Sequence, residues 1–186
     1  MANLLVTVES LAGLLSFGLV SGLMFARLSR PTARVLFSDV AVVAPYQGIT
    51  AFEFRIINRR KTQISDLEAR VIFSRRNHEG VGRQFHELDL ERSRVAFFPL
   101  QWTIVHPIGE DSPLAGLSAE ELVACDAEFL ILLKGFDETF SHAVHARSSY
   151  RAEEVKFGVR FADMFDHDDA RGEISVDVGK LHDTIE

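Results

Sequence analysis

The side chains best suited to chemistry are few and scattered along 186 residues. His142 and His145 stand three apart, on a stretch that reads as strand or loop, but no Cys/His/carboxylate cluster has zinc spacing. His86-Glu87 and Asp166-His167-Asp168-Asp169 read as solvated turn residues, because exposure is the default for these types. Cys125 is the one cysteine, so an internal disulfide cannot form, which agrees with a reducing cytoplasm. It reads as a small packing residue rather than a nucleophile. No serine sits in a GxSxG elbow, no GxGxxG follows a strand, and there is no P-loop. These residues make no case for an enzyme, and they imply no metal and no cofactor. The net charge of −7 and a pI near 5.5 argue against a nucleic-acid partner, which would need a basic face.

The charges with the most to say are one acid and three arginines near the start. From Leu4 to Ala26 the only charge is Glu9. A helix rises ~1.5 Å per residue, so about 20 such residues cross a hydrocarbon core. Arg27, Arg30 and Arg34 follow, and Pro31 is expected to end the helix because it lacks an N–H. A secretory signal would carry its basic residues before the apolar run. The positive-inside rule puts the arginines on the cytoplasmic side, giving one span of the cell (inner) membrane, N-out and C-in. Glu9 inside the run is expected to face protein or water. Gly18 and Gly22 fit the small-xxx-small pattern of closely packed helices, with Gly13 one further small residue. A plain membrane anchor would need none of these.

The elements that follow read as strands. Phe52, Phe54 and Ile56 share one face of an alternating stretch, with Glu53, Arg55 and Ile57 on the other. A turn is signalled at Gly48, and a hairpin at Asn77–Gly82. Pro99 and Pro107 confine their segment to sheet edges or ends. Ser118 and Glu121 have the spacing of a capping box on a short helix. Residues 127–150 read as two strands joined around Gly135–Thr139, and short strands close the chain. The expected division is residues 1–30 as membrane helix and 31–186 as one mainly β sandwich domain.

Several stretches carry a resemblance, in order and over nearly the whole chain. They are VESLAGLLSFGLVSGLMFARLSRP, RVLFSDVAVV, FRIINRRKTQI, LEARV, TIVHPIGEDSPLAGLSAEEL, ARSSY, VKFGVRF and SVDVGKLHDT. The chain resembles the inner helix and C-terminal domain of inward-rectifier potassium channels, in the prokaryotic form. The resemblance implies an immunoglobulin-like β-sandwich in the cytoplasm. It also implies a homotetramer around a pore axis, potassium ions in the complete channel, and anionic membrane lipid as a partner. The family's outer helix, pore helix and TxGYG or TxGFG filter do not occur in these 186 residues, so the stretch by itself is not expected to select potassium.

Roles carried over by the resemblance fall on single positions. Phe25 matches the gate at the helix bundle crossing, where a ring of four could close by dewetting. Phe17 and Lys134 stand where strong rectifiers carry pore-lining acids, which implies weak rectification. Arg27, Arg30 and Arg34 match the lipid-contacting junction; ordinary positive-inside anchoring explains them equally well. Ser141, His142, Ala143, Val144, His145 and Ala146 match the loop that narrows the cytoplasmic pore. Arg147 is expected to pair with a carboxylate. A non-conducting single-span protein with an assembly or sensing domain is the alternative.

Overall fold

In the computed structural model, residues 2–28, 35–59, 63–77, 82–98, 100–139, 141–168 and 173–186 are described. Arg30, Pro31, Arg34, Pro99 and Asp169 lie outside them. Contacts divide the chain into two units, Met1–Thr32 and Ala33–Glu186. The first is helix α1, Ala2–Leu28. Within it Leu4–Phe25 is 22 residues long with a mean hydropathy of 1.8, long and apolar enough to cross a membrane. Its side chains over that span are exposed.

The second unit is mainly β. In chain order its strands are β1 Val35–Phe37, β2 Ala41–Tyr46, β3 Ile49–Asn58, β4 Ile64–Arg76, β5 Arg83–Glu87, β6 Arg94–Phe97 and β7 Gln101–Ile108. Helix α2, Ala119–Ala124, comes next. It is followed by β8 Glu128–Asp137, β9 His142–Arg151, β10 Val155–Phe157, β11 Arg160–Phe161, β12 Phe165–Asp168, β13 Glu173–Val176 and β14 Thr184–Ile185. One sheet has the order β1-β3-β2-β10, with β7 on β3; the other is β5-β4-β8-β9, with β6 on β4.

Period-two alternation builds the core between these sheets. Phe52, Phe54 and Ile56 of β3 are buried, as the pattern required, against Ala69, Val71 and Phe73 of β4 and Phe129, Ile131 and Leu133 of β8. Phe52 stacks on Phe129 with ring centroids 4.3 Å apart and planes 14° apart, so aromatic contact joins the sheets. Ile57, on the other face of β3, is buried too, against Met164 and Leu181 of the C-terminal segment. Gln47 and Gly48 both take positive φ in the turn between β2 and β3, the backbone a tight hairpin demands. Pro107 lies on β7, which among the described residues pairs with β3 alone, an edge position where a proline is tolerated. Ser118 Oγ accepts from the Glu121 N–H at 3.3 Å, and Glu121 Oε2 accepts from the Ser118 N–H at 2.8 Å, completing the capping box of α2.

Two boundaries need correction. The joint expected around Gly135–Thr139 lies later: β8 runs through Gly135 to Asp137, and the turn reaches Ser141, which has φ 51°. The reason is a close approach. A Cβ on Gly135 would stand 2.7 Å from Ile64 Cγ2 and 3.1 Å from Leu67 Cδ1, so the glycine serves packing inside the strand. Second, 142–146 is paired strand rather than loop.

Candidate functional site

The outward face of the β4-β8-β9 sheet gathers the polar side chains. Register sets Lys134 opposite Glu68 on one side and opposite His145 on the other. One row along, Leu132 lies opposite Arg70 and Arg147. The β4–β8 register shifts between Ser65 and Glu68, where Asp66 takes φ 50°. A bulge of this kind re-aims the side chains beyond it. The extra residue sits against Gly135, whose missing side chain leaves room for Ile64 and Leu67. Glu68, Arg70, Lys134, His145 and Arg147 line a cleft of about 250 Å³ with Leu132.

Arg70 donates from Nε and Nη2 to the two carboxylate oxygens of Glu87, each at 2.7 Å. That fork holds the Glu87 carboxyl below its ordinary range and pushes the guanidinium up. Both side chains are exposed, which makes the pair chiefly an orienting device. Among the described residues neither Lys134 nor Arg147 has an ion-pair partner, so the carboxylate expected for Arg147 is not found among them.

The stretch 142–146 is split by the strand. Ala143 and His145 are exposed; Val144 is buried, and Ala146 packs against the core. His142 and His145, three apart on a strand, therefore lie on opposite faces and cannot share a metal. No group of three or more metal-ligating side chains occurs among the described residues. Cys125 Sγ donates to the Leu122 carbonyl at 3.4 Å, and burial pushes its thiol up, away from thiolate chemistry.

Two buried networks brace this sheet and its neighbour. The Tyr150 hydroxyl donates to the Ser38 carbonyl at 2.8 Å, and the Ser38 hydroxyl lies 3.0 Å from it. The Arg55 N–H closes the circuit on Ser38 Oγ at 3.1 Å. His106 Nδ1 lies 2.7 Å from the Asp89 carbonyl and must therefore carry the proton. Its Nε2 is then free to accept from Ser112 Oγ at 2.8 Å, and the Leu114 N–H donates to that oxygen at 3.1 Å. Burial holds His106 below the usual histidine value.

On α1, Phe17 and Phe25 are both exposed, as is Arg27. A Cβ placed on Gly18 or Gly22 would meet nothing within 4 Å, so the seam is open to a neighbour. Arg30 and Arg34, expected beside Arg27, lie outside the described residues.

Residues 35–186 match the family model described as the inward rectifier potassium channel C-terminal domain. The chain belongs to the inward-rectifier potassium channel family. It is 39% identical over 186 residues to the inward rectifier potassium channel Kirbac3.1 of Paramagnetospirillum magnetotacticum, covering 98% of this chain and 63% of that protein. It is 32% identical to the ATP-sensitive inward rectifier potassium channel 12 of Gallus gallus, covering all of this chain and 45% of that protein. It is likewise 32% identical to the inward rectifier potassium channel 4 of Homo sapiens, over all of this chain and 44% of that one. The chain thus spans between 44% and 63% of the length of these relatives. All three are named as channels and none as an enzyme, in line with the residue chemistry. The family background turns attention to two residues that sequence reasoning passed over, Glu68 and Arg70. The alternation in LEARV already put them on one face; the bulge that brings Glu68 beside Lys134 left no mark in the sequence.

Proposed function

We propose that the chain is the inner helix and cytoplasmic domain of a potassium channel, working as a fourfold assembly around a pore. The observation that carries this reading is the continuous family match over 35–186, directly preceded by an apolar helix of spanning length. In this reading α1 crosses the inner membrane once with the β domain on the cytoplasmic side. Phe25 forms the constriction, and Phe17 takes a pore-lining place higher on the helix. Ser141, Ala143 and His145 present their exposed side chains to the ion path with Lys134, while His142, Val144 and Ala146 hold the strand in place. A cation at position 134 repels potassium and polyamines, so the rectification it supports is weak. Arg27, Arg30 and Arg34 engage anionic headgroups, phosphoinositides included. Potassium selection belongs to a filter, which this stretch does not contain.

The assembly is testable on the chain as it stands. Light scattering of the 186 residues in mild detergent is expected to give a tetramer, because a closed ring with one repeated heterologous interface is the arrangement a central pore needs. Gly22→Leu should weaken it by blocking helix approach. A monodisperse monomer at tens of micromolar protein would remove the shared pore, and with it the roles of Phe25 and the 141–146 stretch. Lipid contact is tested separately. Replacing Arg27, Arg30 and Arg34 by alanine should cost ~1 kcal/mol of vesicle binding per residue, more at low salt. Unchanged binding would leave the arginines as topology signals.

A further inference from the structure

We infer that the cleft between β4, β8 and β9 is a binding site for a compact phosphate anion of more than one charge, free in solution. Three permanent cations, Arg70, Lys134 and Arg147, line it with His145 and Glu68. Glu87 offsets Arg70, which leaves Lys134 and Arg147 as the available cations facing Glu68. The rest of the molecule is the opposite: 27 acidic residues outnumber 20 basic ones. Register crowds Lys134 beside His145, with Arg147 on the adjacent diagonal. Lys134 and Arg147, like charges on neighbouring strands, disfavour the sheet unless an anion lies near them. Glu68 stands opposite Lys134 in register, but neither Lys134 nor Arg147 has an ion-pair partner among the described residues.

The fittings suit phosphate. Arg147 offers an unused planar fork and Lys134 a point charge, the two ways proteins hold phosphate oxygens. Arg70 is already oriented by Glu87 and adds field without having to move. Leu132, 37% exposed, supplies an apolar wall that strengthens charge attraction nearby. The volume, about 250 Å³, falls below the roughly 300–1,000 Å³ of drug-sized sites, so the occupant is small: a pyrophosphate-like group rather than a whole nucleotide. The lining residues all come from one chain. In the assembly proposed above Lys134 and His145 face the ion path, so the cleft opens there, and its titration is read separately from the oligomeric state.

Calorimetric titration of the full chain in detergent with pyrophosphate tests this. Saturable binding is expected, weakened at least fivefold by Arg147→Gln and by Lys134→Gln, and tightened by Glu68→Gln, which removes the opposing charge. Arg160→Gln, an exposed arginine on β11, should leave binding unchanged. Circular dichroism checks that each variant is folded. No heat at millimolar pyrophosphate overturns the proposal, as does equal weakening by Arg160→Gln. Adding phosphatidylglycerol to the detergent micelles separates the sources of phosphate, and the pyrophosphate titration should be unchanged by it. If the lipid competes with pyrophosphate in the parent and the Lys134→Gln, Arg147→Gln double variant abolishes that competition, the cleft serves a lipid headgroup and the free-anion site is overturned.

Discussion

Tyr150 ties the first residue after β1 to the last long strand through one hydroxyl. Phenylalanine there would keep the ring contact with Phe54, whose centroid lies 5.6 Å away, but strand the buried Ser38. A buried group left without its partner costs about 1–3 kcal/mol, and the urea midpoint of Tyr150→Phe should fall accordingly. His106 sets a pH dependence. Its folded value is depressed, so the unfolded chain binds the proton more readily. The stability from the neutral ring is therefore fully present above about pH 6.5 and is lost as pH falls from there toward the lower folded value. Urea midpoints measured from pH 7.5 down to 5 should decline, and His106→Gln should flatten that slope. Nothing in the residue types foretold these networks. The histidine and the serine of TIVHPIGEDSPLAGLS are legible as letters, but their bond depends on how the loop after β7 folds back.

Elements were legible where the pattern was local. The capping box fixed α2 from two residues three positions apart, Ser118 and Glu121, and Ser118→Ala should cost about 1 kcal/mol in thermal or urea unfolding. Alternation in β3 gave its core face. Its other face could not be read, because the cover comes from Met164 and Leu181, more than a hundred residues away. The end of β8 was misplaced because glycine signals a turn locally, whereas Gly135 answers a packing demand from β4. Gly135→Ala should therefore destabilise by about 1–3 kcal/mol, since the obstructing Ile64 is β-branched and stiff. A midpoint unchanged from the parent would show that the bulge at Asp66 yields easily. The same bulge explains why the cleft was not foreseen: aspartate tolerates positive φ, but nothing in the sequence singles out Asp66 from the chain's other aspartates.

At the scale of the whole molecule, charge and assembly oppose each other. Copies carrying −7 each repel, and salt screens that repulsion. The tetramer fraction in dilute detergent solution should rise between low and physiological ionic strength, as read by light scattering or analytical ultracentrifugation. A fall with salt would mean that ion pairs hold the interface. The two-sheet architecture was legible in the spacing of strands and turns, and a fragment from Arg34 onward should be soluble with a β-dominated circular dichroism spectrum. The fourfold arrangement was not written in the pattern of one chain. It entered through the family.

The three-residue strand β1 has a mechanical consequence. Tension arriving along the chain at Val35 meets the pairs Val35↔Asn58, Leu36↔Ile57 and Phe37↔Ile56 and the half-buried packing of these three side chains. The next residue, Ser38, is buried and bonded to both Tyr150 and Arg55. A pull would peel β1 first, at the cost of the contacts Val35 and Phe37 make on the edge of the core, and then meet that knot. The strand is a fuse: it can yield and re-form while the sandwich stays intact. Amide exchange should find Val35–Phe37 opening far more readily than Arg55, whose N–H is held by the knot itself.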